Sequence, residues 1–372
     1  MQILQISTAT PRNEYSTEEL MKLFPTQIPN ETKQNILNLG VSKRHLINHA
    51  YSQSKPETIL SETELVELCS EACEKAMEKA SLSIKNIDFL ITAYDVNPIL
   101  CPGLSQRLIR EIGFNPYVDY INAQGMACGA FTNALSLAEN YLAAHPRNFV
   151  LLCISGVNSY WFYNQVRGIK DLMGISQINS IKDVDRRHRE LRKWIATMEF
   201  FLFGDGVASA VVAKDGGGLS VKRIVEVTNL KKKDYEAGYA RLAALNEPFK
   251  FGFCSHLGRE IPKLGVRYTS VALKRLLGKN SASVMGTVKR WAIHTGSEKI
   301  LDTVAEHHQI SQEKIRESYE VLKEYGNLAG ASLPFILERI VSEDNVLKDD
   351  VVLMLGYGWG FSASAAMLES ER

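Results

Sequence analysis

Short apolar runs alternate with helical patterns along the whole chain. Residues 87–93, 149–155, 209–213, 291–294 and 351–355 are apolar stretches of strand length, and the segments between them carry apolar positions at helical spacing. Residues 60–80 place Leu65, Leu68, Cys69, Ala72, Ala76 and Met77 on one stripe; residues 298–308 do the same with Ile300, Leu301, Val304 and Ala305. Buried strands separated by amphipathic helices predict an α/β fold with largely parallel sheets. Residues 1–10 have no cationic start and no long apolar run, so they read as a strand and not as a signal peptide.

A weak internal repeat is visible. Phe203-Gly-Asp-Gly206-Val-Ala-Ser-Ala210 is matched by Tyr357-Gly-Trp-Gly360-Phe-Ser-Ala-Ser364, and each follows a buried run, 149–155 in one case and 351–355 in the other. Cys128 precedes the first run and Asn327 the second. Two similar halves would put these equivalent turns face to face. Gly216-Gly217-Gly218 is the natural boundary, giving an N-terminal half 1–216 with the cysteine and a C-terminal half 217–372 with the histidine and asparagine discussed below.

At 372 residues and 45% hydrophobic composition the chain can bury a large core. A net charge of +1 argues against general nucleic-acid binding. The basic runs Lys231-Lys232-Lys233 and Arg186-Arg187-His188-Arg189 have acidic neighbours, Asp183, Asp185, Glu190, Asp234 and Glu236, and read as solvated faces. No stretch reaches the roughly 18 to 20 apolar residues of a membrane span, so a cytoplasmic protein is expected. The six cysteines form no CxxC pair and have no histidine spacing suited to zinc, which predicts no metal site. Five of them read as small core residues in a reducing compartment.

The sixth, Cys128, stands in Gln124-Gly-Met-Ala-Cys128-Gly-Ala130. A strand over 118–122, a tight turn and a helix over 132–143 would aim its sulfur at a helix N-terminus, where free N–H groups and the dipole favour thiolate. The small neighbours leave room for a thioester. His294 ends an apolar run at the point where a strand gives way to a loop, the place where α/β folds bind ligands. Its imidazole can donate to an oxyanion or move a proton near neutral pH. Asn327, in Tyr325-Gly-Asn327, is by type a turn residue, yet a carboxamide also stabilises an oxyanion without titrating. Each residue alone is commonplace; the ordered trio points to acyl-thioester chemistry.

Trp291-Ala-Ile-His294-Thr-Gly-Ser-Glu-Lys-Ile-Leu301 and Glu324-Tyr-Gly-Asn327-Leu-Ala-Gly-Ala-Ser332 resemble the histidine and asparagine motifs of type III polyketide synthases, as do Leu202-Phe203-Gly-Asp-Gly206 and His256-Leu-Gly-Arg-Glu-Ile-Pro262. The nucleophile segment, residues 122–130, is more similar to ketoacyl-acyl-carrier-protein synthase III. Over nearly its full length the chain resembles thiolase-superfamily condensing enzymes. That resemblance implies a thiolase-like α/β fold, two similar βαβαβ-type halves in a five-layered αβαβα arrangement, and a homodimer. It implies that an acyl chain is loaded on Cys128 from coenzyme A or an acyl-carrier protein. His294 and Asn327 would then hold a malonyl-type extender during decarboxylation, with no metal or redox cofactor.

The same resemblance places Phe203 between an entry tunnel and the cavity. It also likens Ser42-Lys43-Arg44-His45 to a basic stretch that contacts coenzyme A phosphates. Departures occur at Gly356-Tyr-Gly-Trp-Gly360, where Gly-Phe-Gly-Pro-Gly is expected, and around Ser155 to Phe162, where the family's usual acidic and threonine positions give way to Gly156-Val-Asn158-Ser-Tyr-Trp161. Ser255 stands where an aromatic gatekeeper is expected. These argue against repeated elongation and aromatic cyclisation. They leave two alternatives open, acyl transfer to an oxygen or nitrogen nucleophile and a non-catalytic subunit of a heterodimer. The charged segment 164–197 reads as an active-site cap, a carrier-protein contact or a plain surface helix. The aromatic stretches 160–163 and 200–203 read as core or as the lining of an acyl tunnel.

Overall fold

The computed structural model describes residues 1–47, 62–97, 99, 101–242, 253–258, 260–278, 281–343 and 346–371. Arg259 and the first residues of the expected helix 60–80 lie outside the described residues, as do the side chains of Tyr160 and Cys254. The N-terminal half contributes strands β1 (Gln2–Ala9), β2 (Glu14–Ser16), β3 (Lys43–His45), β4 (Ile87–Tyr94), β5 (Asp119–Gln124), β6 (Phe149–Ser155) and β7 (Val207–Ala213). Beyond it follow β8 (Leu219–Thr228), β9 (Gly238–Leu242), β10 (Phe253–Leu257), β11 (Val288–Ile293), β12 (Val351–Gly358) and β13 (Ser362–Ser370). Between the early strands run helices α1 (Thr17–Leu23), α2 (Asn30–Leu37), α3 (Glu62–Lys79), α4 (Leu104–Leu108), α5 (Ala130–Ala144), α6 (Ser159–Val166), α7 (Ile175–Ser180) and α8 (Val184–Leu202). Later come α9 (Ile261–Leu277), α10 (Ser281–Thr287), α11 (Glu298–His308), α12 (Arg316–Tyr325) and α13 (Ser332–Ser342).

Nine strands form one hydrogen-bonded sheet in the order β11-β12-β13-β8-β1-β7-β6-β4-β5. Its middle is thin: β1 and β8 pair only at Gln2↔Ser220 and Ile3↔Leu219. Strands β6 and β7 are buried at nearly every position, which is why their sequences are continuous apolar or small runs and do not alternate.

The expectation of largely parallel pairing is corrected. Only β4–β5, β4–β6 and β11–β12 are parallel; the other ladders of this sheet are antiparallel. The reason is local. The Gly156 N–H donates to Gly206 O at 2.8 Å, so β7 starts where β6 ends and must run back along it. Likewise β12 and β13 are joined by a turn too short for a parallel crossover.

Helices and sheet arms stack in five layers. The apolar stripe of α3, including Leu65, Cys69, Ala72 and Ala76, packs on Leu90, Leu151, Cys153 and Val211. In the middle layer α5 and α13 bring Phe131, Leu135, Leu333 and Ile336 against Ile91, Leu152, Val352 and Met354. On the far side α9 and α11 cover Trp291, Ile293, Leu353 and Leu355 with Tyr268, Leu273, Leu301 and Val304. This is the thiolase-like α/β arrangement. Ser297 caps α11 and Asp183 caps α8, each accepting from a first-turn N–H. No helix among the described residues is long and apolar enough to cross a membrane.

Candidate active site

Cys128 sits in a backbone elbow between β5 and α5. Gly125 and Ala127 have φ of 78° and 45°, and residues Ala127–Gly129 form a short 3-10 turn that runs into α5. Asp95, the residue after β4, ties this elbow to the neighbouring strand: its carboxylate accepts the Ala127 N–H at 3.0 Å and the Gly125 N–H. The electrostatics differ from the sequence expectation of a thiolate favoured by the helix. Burial pushes the Cys128 thiol up and the Asp95 carboxylate adds to it, while a backbone N–H opposes them and loses. The residue therefore rests as a thiol.

His294 follows β11 directly. Its N–H donates to Leu355 O at 2.9 Å, and Tyr357 donates its hydroxyl to His294 O at 2.9 Å while packing edge-on with ring centroids 5.3 Å apart. Gly296 makes room for that hydroxyl, since a Cβ there would lie 2.7 Å from it. Burial pushes the imidazole down to about 3, so the ring is neutral at physiological pH. Nδ1 is buried with no hydrogen-bond partner among the described residues.

Asn327 is fixed by its backbone and by its side chain. The Asn327 N–H donates to Leu202 O at 2.9 Å, and its carbonyl accepts from Gly204 N–H at 3.2 Å. Its Oδ1 accepts the Ala329 N–H at 2.8 Å. An acceptor is required at that position, so the amide orientation is determined and Nδ2 is left as a donor.

Cys128, His294 and Asn327 line one cavity of about 800 Å³. Its walls are mostly apolar and include Trp161, Phe162, Trp194, Met198, Leu202, Phe203 and Trp359. Phe203 stacks on Phe162 at 4.4 Å. Gly358 adjoins the nucleophile, where a Cβ would meet Cys128 N at 3.3 Å and Cys128 Cβ at 3.4 Å. The aromatic stretches divide their roles: Trp161, Phe162 and Phe203 line the cavity, whereas Phe200 and Phe201 pack on Phe24. The charged segment 164–197 divides similarly, with the basic start of α8 outward and its end, from Trp194 on, forming cavity wall.

Several candidates are engaged in other contacts. Asn158 lines the cavity, but its Nδ2 is donated to Gly156 O at 3.0 Å. Ser255 does not line it; the residue is buried behind Glu199, to which its hydroxyl donates at 2.7 Å. Arg44 is fully buried and donates to Thr17 Oγ1 at 2.8 Å, so it cannot reach a phosphate in solvent. Lys43 is exposed and paired with Glu14 at 2.8 Å, away from the cavity. Cys101 is exposed, against the expectation of five core cysteines.

Sequence reasoning missed three acids at or beneath the cavity, Glu199 and Asp205 buried and Asp95 partly so. Asp95 has no local signal. Asp205 accepts from the N–H groups of Ile47, Asn158 and Ser159 and from the Ser159 hydroxyl, pinning the loop beneath the cavity. Glu199 had a signal: it falls on the stripe Ile195, Met198, Glu199, Leu202, where helical spacing calls for an apolar residue.

Two family models match the chain. Residues 21–169 match the FAE1/type III polyketide synthase-like family, and residues 281–370 match the C-terminal domain of 3-oxoacyl-[acyl-carrier-protein] synthase III. The chain is a condensing enzyme similar to type III polyketide synthases and to ketoacyl-acyl-carrier-protein synthase III. It is 24% identical to the 3,5-dihydroxyphenylacetyl-CoA synthase of Amycolatopsis orientalis over 98% of this chain and 92% of that protein. It is 25% identical to the β-ketoacyl-[acyl-carrier-protein] synthase III of Microcystis aeruginosa over 95% and 93% of the two chains. The crystal structure of 1,3,6,8-tetrahydroxynaphthalene synthase from Streptomyces coelicolor, a bacterial type III polyketide synthase, superposes with a TM-score of 0.82 at 22% identity. It covers 100% of both chains. In this condensing enzyme Trp359 turns its indole into the cavity where the family resemblance predicts proline.

Proposed function

We propose that the enzyme catalyses decarboxylative Claisen condensation between an acyl group carried on Cys128 and a malonyl-type thioester. The observation that supports this most is a neutral imidazole, His294, and a preset amide donor, Asn327 Nδ2, on the same cavity as the thiol; in this reading Nε2 of His294 carries the ring proton and is the second donor. The Cys128 thiol loses its proton and attacks the donor thioester, and the coenzyme A or carrier thiol leaves. The malonyl thioester then places its carbonyl oxygen against the two donors. Breaking the bond to the carboxylate releases carbon dioxide and leaves an enolate, whose charge gathers on that oxygen. The enolate carbon attacks the acyl carbonyl, the carbon–carbon bond forms, and Cys128 leaves as thiolate. Donors that are already in place and cannot titrate away stabilise the enolate without reorganisation; one such donor is typically worth about 2.7 to 4 kcal/mol.

The enzyme is proposed to act as a cytoplasmic homodimer. Among the described residues the sheet ends at β5, an unpaired edge whose Tyr120 and Ile121 are exposed beside Tyr117 and Met126, a surface suited to a second copy. Cys69, Cys73 and Cys153 lie together in one core cluster as free thiols, as a reducing compartment favours.

Incubation with an acyl-coenzyme A should give one acyl adduct on Cys128, absent in Cys128→Ala. Carbon dioxide release from malonyl-coenzyme A should fall about 10²- to 10³-fold in Asn327→Ala and in His294→Ala while adduct formation persists. Equal loss of both partial reactions would remove the assigned roles. Acyl transfer to an oxygen or nitrogen nucleophile would proceed with no carbon dioxide released.

A further inference from the structure

The cavity wall is apolar apart from the reacting groups and a few polar side chains, and one of these has no use in the condensation itself. Glu199 is 1% exposed, lines the cavity from the last turns of α8, and has one oxygen spoken for: Ser255 donates to Oε2. Oε1 is buried with no hydrogen-bond partner among the described residues. A buried unpartnered carboxyl oxygen costs on the order of 1–3 kcal/mol unless something fills its place. The position belongs by spacing to an apolar residue, and replacing the pair with apolar side chains would remove that cost.

We propose that Glu199 is a specificity-determining residue whose Oε1 hydrogen-bonds a carbonyl oxygen of the acyl chain seated in the cavity, so that oxygenated 3-oxoacyl thioesters are selected over plain alkyl ones. The inference rests on the condensing reading, because each condensation leaves a ketone at that chain position. To meet a carbonyl oxygen, which only accepts, Oε1 must carry a proton. Burial supplies it: the carboxyl is pushed up to about 8, with the Ser255 hydroxyl opposing and no charged neighbour contributing. His256, the next residue on β10, faces the other way and stacks on Tyr239 with centroids 5.4 Å apart. The Ser255 hydroxyl on Oε2 fixes the carboxyl so that the acidic O–H is presented from Oε1. No bond is made or broken in this step; the proton stays on Glu199.

The test is a competition between a 3-oxoacyl-coenzyme A and the saturated acyl-coenzyme A of equal carbon count for acylation of Cys128, read by mass spectrometry as a ratio of adducts. Reading a ratio cancels the pH dependence of the thiol, which both donors share. Below pH 7 the native enzyme should favour the 3-oxo donor by about tenfold, the size of one hydrogen bond. That preference should collapse above pH 9, where the carboxylate faces the carbonyl oxygen. Glu199→Gln, which keeps a donor, should retain a preference that does not change with pH, and Glu199→Leu should abolish it. A native preference that is absent, flat or rising across pH 6 to 9 overturns the inference without any variant, as does an unchanged ratio in Glu199→Leu. If neither donor acylates Cys128, the condensing reading fails and this inference falls with it; acylation without discrimination sinks the inference alone.

Discussion

Ala127 and Ala329 hold the same left-handed backbone, with φ of 45° and 48°. One immediately precedes the thiol residue, and the other lies two residues past Asn327. Each opens a 3-10 turn, Ala127–Gly129 or Ala329–Ala331, that leads into a middle-layer helix, α5 or α13. By this correspondence Gly330 occupies the place of Cys128. Non-glycine residues in this region of φ are strained by roughly 1–3 kcal/mol each, and such strain persists where surrounding structure over-determines it. Here Asp95 does so on one side and the Asn327 carboxamide on the other, through the N–H groups of the two alanines.

The two elbows meet at Gly330, and a Cβ there would stand 2.6 Å from Ala130 Cβ and 3.1 Å from Ala127 O. Gly330→Ala must push them apart, and overpacking of this kind costs about 1–3 kcal/mol. Urea denaturation should show that loss, and carbon dioxide release from malonyl-coenzyme A should fall more than Cys128 alkylation. A variant of native stability and activity would mean that the elbows do not depend on each other.

The Asp95 carboxylate opposes ionisation of Cys128. Asp95→Asn keeps an oxygen to accept from Ala127 and removes the charge, so the thiol should ionise more readily. Iodoacetamide at pH 8 should alkylate Cys128 several-fold faster in the variant. In the native enzyme the alkylation rate should still be climbing at pH 10, because burial remains the larger cause. A native rate that levels off below pH 8 would show a thiolate already present.

Much of the scaffold was legible. Residues 149–155 and 298–308 are a strand and a helix to the residue, the first because both faces of β6 are buried, the second because Ser297 caps α11 and His307 and His308 close it. What was illegible is burial of charge. Acids and bases default to solvent in any sequence reading, and nothing near Asp95 or Asp205 signals that the end of one strand will meet a loop far along the chain. Arg44 shows the same blind spot. Lys43 and Arg44 are adjacent on β3, so they point to opposite sides, one to solvent and one inward. Strand direction was illegible for another reason: apolar content specifies burial, and β7 and β13 owe their direction to the short links that deliver them.

His294 is buried neutral, with its pKa pushed down to about 3, while the unfolded chain titrates near 6.5. Between these values the unfolded state binds a proton that the folded state refuses. Stability is therefore intact above pH 6.5 and drains away as pH falls towards 3, by on the order of 3 kcal/mol at pH 4. His308, pushed down to about 4 by burial and then by His307, contributes in the same direction but is less buried. His294→Gln should lose less stability than the native enzyme between pH 7 and pH 4.5 in guanidinium titrations. A native-minus-variant difference that is constant with pH would contradict the neutral, sealed imidazole.

Trp359 connects cavity shape to product. It follows Gly358, which adjoins Cys128, and precedes Gly360, whose N–H is tied to Gly238 O at 2.8 Å, so the indole is held at both ends beside the acylation site. Its ring reaches Gly238, where a Cβ would lie 3.5 Å from it, and it lines the cavity. Removing the indole opens volume in a space of about 800 Å³. Each buried methylene of an acyl chain is worth about 0.8 kcal/mol, so newly opened room for two or three carbons should raise selection for longer donors by about 15- to 60-fold. With a panel of acyl-coenzyme A donors of increasing length, Trp359→Ala should move the acylation optimum of Cys128 to longer chains and lengthen the condensed products. An optimum that stays put, with the variant folded, would locate the chain-length limit elsewhere on the wall, at Trp161 or Phe203.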